Sequence, residues 1–457
     1  MHSVVVGLGK TGASCLRYLS KRGMPVSATD TRRTPPGLAE LGDLAGKLDL
    51  RLGGFDLSLL DGASQVLMSP GVSLDEPIAR AARERGIEVL GDVEVFARNA
   101  HAPVIGITGT NGKSTVTSLV ARMAAAAGRT VLAGGNLGDP VLDLLEQPVP
   151  DLYVLELSSY QLETTSSLRL QAAVVLNVTP DHMDRYPTLE AYARAKARIF
   201  AWAATVVLNA DDPLVAAMRG AANRRAPPRG AADRGDATHT VTFSIEHPDA
   251  DYSLLRIGAQ TLLARRGEAL LDISRLKISG LHNAANALAA LALGEAAGLP
   301  MNAMLGALES FPGLPHRSQW IADVAGVRYI DDSKGTNVGA TIAAVAGMPG
   351  PLVLIAGGEG KGQDFTPLAP AFRGKVRHAV LIGRDAPSLA AALEGVCATE
   401  IVDSMQEAVI AATRVARPAG DTVLLSPACA SFDMFRDYGH RGDVFAAAVR
   451  ALEGAPA

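Results

Sequence analysis

The stretch "GITGTNGKST" at residues 106–115 has the residue types to hold a phosphate chain, and it lies between an apolar run and a helix-forming one. Its glycines let backbone N–H groups converge on phosphate oxygens, a helix start adds positive potential, and Lys113 can reach a transferring phosphoryl group. Ser114 or Thr115 would then hold a magnesium ion. The match to G-x-x-x-x-G-K-[ST] is incomplete, because Ile107 stands where the first glycine belongs. A plain strand-to-helix turn is the alternative, and Gly-Lys-Ser-Thr in that setting disfavours it. Two further polar groups fall at the ends of later apolar runs: Glu156 closes "LYVLE", and Asp181, His182 and Asp184 follow "AAVVL". Strand carboxyl ends line the ligand crevice of an open parallel sheet, so these groups can face the same phosphates. Carboxylate and imidazole suit a hard or borderline cation. Alone, His182 reads as a capping or surface residue; with Glu156 and Lys113 it reads as part of a site. Phosphate chemistry by itself leaves a motor, a switch, a kinase and a ligase open.

A second glycine turn opens the chain. "VVVGLGKTG" at residues 4–12 carries G-x-G-x-x-G at Gly7, Gly9 and Gly12, and Asp30 closes the next apolar run, "MPVSATD". Read alone, this is the phosphate turn and ribose-binding acid of a nicotinamide dinucleotide site, hence an NAD-dependent oxidoreductase.

Strand-like runs alternating with Ala- and Leu-rich helical runs must position these groups, which is the pattern of parallel sheets with crossover helices. At about 150 residues per domain, 457 residues suggest three domains. A first series ends near "RGIEVLG", Pro103 marks entry to a second, and the turn-rich "FPGLPHR" precedes a third with strands "PLVLIAGG", "HAVLIG" and "TVLLSPA". We therefore expect domains at 1–91, 92–313 and 314–457. The formal charge of −4 excludes a nucleic-acid binder working through overall basic charge. Cys15, Cys397 and Cys429 lie far apart without metal-ligand spacing, which fits a reducing compartment. No leader pattern and no bilayer-length apolar stretch is present, so we expect a cytoplasmic protein without a membrane span. The arginine-rich segment 219–236 reads as a solvated surface loop inside the second domain.

Taken together, "GITGTNGKST", "LELSSYQLE", "NVTPDHMDRY", "YARAKARIF", "GLHNAANALAALAL", "PHR", "DDSKGTNVGA", "GGEGKGQDF" and "LLSPACASFDMF" occur in the order and approximate spacing of the Mur ligases. The resemblance covers essentially the whole chain, and the N-terminal stretch is similar to the D-glutamate-adding branch. It implies an α/β protein of three domains: a Rossmann-like N-terminal domain for a UDP-substrate, a central P-loop ATPase-like parallel-sheet domain, and a C-terminal dinucleotide-fold-like domain. It also implies an ATP-dependent ligase of peptidoglycan precursor synthesis, joining D-glutamate to UDP-N-acetylmuramoyl-L-alanine through an acyl phosphate and releasing ADP and phosphate. Such an enzyme is expected to be a monomer using magnesium at two positions.

Carried over by motif, Thr110, Asn111, Gly112, Lys113, Ser114 and Thr115 form the ATP phosphate loop, with Ser114 at the first metal position. Glu156 and His182 serve the second metal position and the acyl-phosphate end, and Lys196 matches a lysine carbamylated by CO2, whose new carboxylate supports the metal. Asn283 and Asn286 match adenine-side contacts; Arg317, Asp332 and Lys334 match ATP contacts from the third domain. Thr336, Lys361 and Ser431 match the glutamate carboxylate positions, and Tyr438 stands nearby where phenylalanine is common. Gly335 replaces a usual alanine, which predicts a looser loop. For the UDP-substrate, Gly7, Gly9, Thr11 and Gly12 meet the diphosphate, Asp30, Thr31 and Arg32 form the uridine edge, and Ser69, Gly71 and Asn136 complete the site. The rivals are a sister ligase with another amino acid, such as L-glutamate, a non-catalytic nucleotide switch, and the oxidoreductase. The last leaves "DDSKGTN" and "GGEGKG" without a use.

Overall fold

Short runs of Val, Ile and Leu form the strands of three separate sheets in the computed structural model, which describes residues 2–219, 239–278, 280–348, 350–418 and 420–453. The first sheet holds β1 (His2–Val6), β2 (Val26–Asp30), β3 (Asp49–Leu52), β4 (Ala63–Met68) and β5 (Glu88–Leu90) in the order β3-β2-β1-β4-β5. All its pairings are parallel. Val4, Val5 and Val6 are fully buried, as expected where crossover helices cover both faces. The strand order reverses between β1 and β4, so a crevice opens beyond their carboxyl ends, where the glycine turn stands.

The second sheet contains β6 (Val104–Thr108), β7 (Val131–Gly135), β8 (Leu152–Glu156), β9 (Leu170–Val175), β10 (Ala203–Asn209), β11 (His239–Phe243), β12 (Tyr252–Ile257), β13 (Gln260–Arg265) and β14 (Glu268–Asp272). Its order is β14-β13-β12-β11-β10-β9-β6-β8-β7. The parallel arrangement holds from β7 to β12, but β13 and β14 run antiparallel, correcting the wholly parallel expectation at one edge. The cause is local: Gly258, at φ 60°, and Ala259 turn β12 directly into β13, and Arg266 and Gly267, at φ 49° and 82°, turn β13 into β14, so neither connection is a crossover. Helices Lys113–Ala126 and Leu281–Ala296 share one apolar cluster with this sheet. The second helix is buried on most sides, and Asn283 and Asn286, three residues apart, share one face.

The third sheet orders β15 (Gln319–Val324), β16 (Val327–Asp331), β17 (Leu352–Gly357), β18 (Val376–Ile382), β19 (Ala398–Ile401) and β20 (Thr422–Leu425) as β15-β16-β20-β17-β18-β19. Only β15 with β16 is antiparallel. Because β20 inserts between β16 and β17, three loops leave adjacent carboxyl ends side by side.

The first and second sheets are tied by a shared apolar cluster and by charge. Phe96 meets Tyr153 edge-on at 5.1 Å, and Arg17 grips both oxygens of Asp143 at 3.2 and 2.9 Å. No helix among the described residues is long and apolar enough to cross a membrane. The arginine-rich segment lies outside the described residues from residue 220 onward.

Candidate active site

β6 ends in the loop Gly109–Gly112, whose two glycines take φ of 152° and 83°. A Cβ at Gly112 would stand 2.4 Å from the Asn286 Oδ1, so glycine lets the loop lie directly on the helix carrying the two asparagines. The loop is laced to the segment after β9. Asn111 N donates to Asn177 Oδ1 at 2.8 Å, and Thr179 N donates to Thr110 Oγ1 at 3.1 Å. This fixes the direction of the backbone amides before any ligand arrives.

Around the loop lies a cavity of about 280 Å³ lined by Lys113, Lys196, Arg317, Lys334 and Lys361, with Glu156 and Asp181 as its acids. Five basic groups against two acidic ones make a container for anions. Lys113 Nζ donates to the carbonyls of Gly109 (2.9 Å) and Thr110 (2.7 Å), and Lys196 Nζ donates to the same Gly109 oxygen at 2.8 Å. Burial lowers the Lys113 amine, against the pull of Glu156 and Asp181. Lys196 is 1% exposed and lies 4.3 Å from the Tyr192 ring centroid. Burial and then the neighbouring Lys113 charge push its amine well below the ordinary lysine range. Burial pushes Lys334 down to about 8, helped by Arg317 and Lys113.

Glu156, 2% exposed at the end of β8, accepts from Asn136 Nδ2 at 2.7 Å on Oε1, while its buried Oε2 has no partner among the described residues. A buried carboxylate oxygen left open beside a phosphate loop fits a metal ion. His182, at φ 57°, lies beyond β9 with its Nε2 3.8 Å from Asp181. Burial lowers its imidazole, Asp181 opposes, and Lys361, Lys113 and Lys196 add to the lowering, so a neutral ring is favoured.

The third sheet closes the cavity. Arg317 donates to Ser114 Oγ at 2.8 Å across 203 residues of chain, and Asn337 Nδ2 reaches Asn111 Oδ1 at 3.3 Å and Asp181 Oδ2 at 3.2 Å. Thr336 and Lys361 line the same space. Gly335 corrects the looser-loop expectation: its N–H donates to Asp332 O at 2.8 Å and its carbonyl accepts from Ala428 at 2.9 Å. A Cβ there would press on Asp332 Oδ2 and Ser426 Oγ at 2.7 Å each. Ser431 and Tyr438 do not line the cavity. Ser431 is 2% exposed, and the Tyr438 ring lies against Lys334 with its centroid 3.9 Å from Nζ.

Behind the loop a second cavity of about 270 Å³ is lined by Thr115, Asn283, Asn286, Asp332 and again Arg317 and Lys334. Burial pushes Asp332 up to about 7, against hydrogen bonds from Ser426 and the Ser318 amide and the charge of Arg317. His282 also lines it, with a buried Nδ1 that lacks a partner among the described residues, and burial pushes it down to about 4.

The first glycine turn lines a separate cavity of about 610 Å³ with Gly7, Gly9, Thr11, Asp30, Thr31, Arg32, Ser69 and Gly71. Asn136 lines this space and the central cavity alike. Gly12 does not line it; a Cβ there would stand 2.0 Å from Gly7 O, so its glycine serves close packing of helix on turn. Asp30 Oδ2 accepts from Leu8 N (2.7 Å) and Arg32 (2.7 Å), and Oδ1 from Arg32 N (2.8 Å) and Nε (2.9 Å). Burial raises this carboxyl, but those hydrogen bonds outweigh it and hold it below the usual carboxylate range. The acid therefore shapes the turn and orients Arg32.

Sequence reasoning missed Asn337, Tyr160, Tyr192, His282 and Arg185 as cavity walls. All five lie inside motifs already named, Asn337 in "DDSKGTNVGA", Arg185 in "NVTPDHMDRY", Tyr160 in "LELSSYQLE", Tyr192 in "YARAKARIF" and His282 in "GLHNAANALAALAL", so the signal was present and only their roles were left unassigned.

This geometry is that of an ATP-driven ligase with a three-part site. Family models match residues 1–91 (Mur ligase MurD-like, N-terminal domain), 107–294 (Mur ligase middle domain) and 316–429 (Mur ligase, glutamate ligase domain). The chain is 54% identical over 453 residues to a UDP-N-acetylmuramoylalanine--D-glutamate ligase of Nitrosococcus oceani, covering 98% of this chain and 96% of that one. It is 49% identical to the protein of the same name from Methylococcus capsulatus, covering 98% and 94%. Among solved structures, a pseudomurein peptide ligase type C from Methanothermus fervidus matches with a TM-score of 0.61 at 18% identity, covering 99% of both chains. A UDP-N-acetylmuramate-alanine ligase from Thermotoga maritima matches with a TM-score of 0.60 at 19% identity, again covering 99% of both. The chain belongs to the Mur ligase family.

Proposed function

We propose that the chain uses ATP to join D-glutamate to UDP-N-acetylmuramoyl-L-alanine, giving ADP and phosphate, as a cytoplasmic step of peptidoglycan precursor synthesis. The observation that carries this reading is the central cavity, where a phosphate loop, five basic side chains and an unpartnered buried carboxylate oxygen meet. The relatives' names and the match to a D-glutamate-type N-terminal model supply the substrates.

The chemical problem is that a carboxylate is a poor electrophile and repels the γ-phosphate it must attack. The first-sheet cavity would hold the nucleotide end of the substrate, with Gly7 and Gly9 at the diphosphate and Arg32 beside uridine. Asn136, shared by both cavities, would lead the alanyl end to Lys113. Asn283 and Asn286 would hold adenine, and Arg317, Asp332 and Lys334 the rest of the nucleotide. Ser114 would hold one magnesium ion, and Glu156 and His182, supported by Lys196 once carbamylated, a second. Bound there, magnesium neutralises phosphate oxygens. Lys113 would stabilise the charge that moves as the alanyl oxygen attacks phosphorus. Acyl phosphate then presents an activated carbonyl to the D-glutamate amine, with Lys361 and Thr336 positioned for its carboxylates. Ser431 and Tyr438 would act from behind the cavity wall. Carbamylation of Lys196 is supported by its burial and lowered basicity, because the free amine is the form that attacks CO2.

Phosphate release with ATP, magnesium, UDP-N-acetylmuramoyl-L-alanine and each candidate amino acid tests the reading. Release requiring both the nucleotide sugar and D-glutamate is expected. Turnover with L-glutamate alone would assign the chain to a sister activity.

A further inference from the structure

Arg441 is the largest fully buried side chain among the described residues, with 0% exposure, yet the quoted motifs assign it nothing. It stands in helix Tyr438–Glu453, behind the carboxyl ends of β16, β20 and β17. Its guanidinium donates to all three loops that leave those ends. Nε reaches Ser333 Oγ at 3.0 Å, one terminal nitrogen reaches Ser333 O at 2.8 Å, and the other reaches Cys429 O at 3.1 Å and Gly357 O at 3.4 Å. Every one of these acceptors is a carbonyl or hydroxyl oxygen. A buried cation hydrogen-bonded only to neutral dipoles is costly, and burial pushes this guanidinium down to about 10, against the charges of Asp433, Asp331 and Asp332. A planar fork of five donors is the one side chain that can bind three loops at once.

Each loop carries a residue of the amino-acid end of the site. Past the nucleotide-side Lys334 the Ser333 loop continues to Thr336, the Gly357 loop continues to Lys361, and the Cys429 loop to Ser431. The last two are also joined to each other, since Glu359 and Ala430 exchange backbone hydrogen bonds of 2.9 Å. Ser333 Oγ in turn donates to Tyr438 O at 2.7 Å. We infer that Arg441 is a positioning residue for the amino-acid substrate, setting the spacing between Thr336, Lys361 and Ser431 without touching that substrate. This inference rests on the ligase reading above. ATP contacts are separately secured, because Asp332 accepts from Ser426 Oγ at 2.9 Å and from Ser318 N at 3.1 Å.

The test compares wild type, Arg441→Lys and Arg441→Ala by phosphate release, varying one substrate at a time, with circular dichroism to verify folding. The expected result for Arg441→Lys is a D-glutamate KM raised at least about tenfold, with the KM of ATP and of the nucleotide sugar changed less than about threefold. Added guanidinium ion is expected to lower the D-glutamate KM of Arg441→Ala, since it refills the fork but not the helix. If Arg441→Ala does not fold, the lysine variant alone decides. Unchanged D-glutamate KM in a folded variant, or a parallel rise of all three KM values, would overturn the inference. Absence of turnover by wild type would instead overturn the ligase reading.

Discussion

At the first glycine turn both oxygens of the buried acid are occupied: Asp30 accepts from the Leu8 amide and from the Arg32 amide and side chain. At the second, Glu156 keeps a buried oxygen without a partner among the described residues, and two lysines crowd the single Gly109 carbonyl. Both turns join a parallel strand to a helix, and both use left-handed glycines, Gly7 at φ 91° and Gly112 at 83°. The difference lies in how far the surrounding polar groups are satisfied. A satisfied turn presents a finished surface and binds. An unsatisfied one holds charge that a ligand must complete, which is where chemistry can be driven.

Substitutions on the two sides should therefore fail differently. The largest expected effect is from Lys113→Met, which should cut phosphate release by about a thousandfold. Calorimetric titration with the nucleotide sugar should find its affinity unchanged, because the first cavity is intact. Next, Lys196→Ala should lose about a hundredfold in rate, and acetate or formate should partly restore it by supplying the missing carboxylate. Arg32→Ala should raise the nucleotide-sugar KM by about tenfold, the scale of one charge-assisted hydrogen bond, and leave the rate at saturation little changed.

The smallest effect concerns stability at the satisfied turn. Asp30→Asn should cost about 1–3 kcal/mol, because an amide cannot replace a carboxylate that only accepts. The folded Asp30 carboxyl lies below its ordinary value near about 4. Its contribution is therefore complete above about pH 4 and is lost as the pH falls through the folded value. The gap in melting temperature between wild type and Asp30→Asn should hold from neutral pH to about pH 5 and close in more acidic buffer. A gap that widens on acidification would mean that the turn is not built around the charged form.

Much of this architecture was legible because it is local. Glycine turns, the Gly-Lys-Ser-Thr sequence and the Val-rich strands are written in consecutive residues, and the structure forms strands at "LYVLE", "LIAG" and "TVLL". Asp30 lines the first cavity, and only its neighbours reveal that both its oxygens are also engaged by its own turn. The antiparallel edge turned on two short turns, Gly258 with Ala259 and Arg266 with Gly267. Long-range convergence was the least visible. Asn337 meets Asp181 across 156 residues, and Arg441 meets Ser333 across 108, distances at which no periodicity carries information. Ser431 and Tyr438 occupy the loop and helix start that their motif implies but do not line the central cavity, and a motif position does not say which way a side chain faces.

The central claim is that the unsatisfied turn activates a carboxylate by phosphorylation while the satisfied turn only binds. A heavy-oxygen label placed in the alanyl carboxylate of the nucleotide sugar tests it directly, with mass spectrometry of the released phosphate after turnover with ATP and D-glutamate. One labelled oxygen per phosphate is predicted, because the attacking carboxylate oxygen leaves with the phosphoryl group. Unlabelled phosphate, with amide bond formed, would contradict the account.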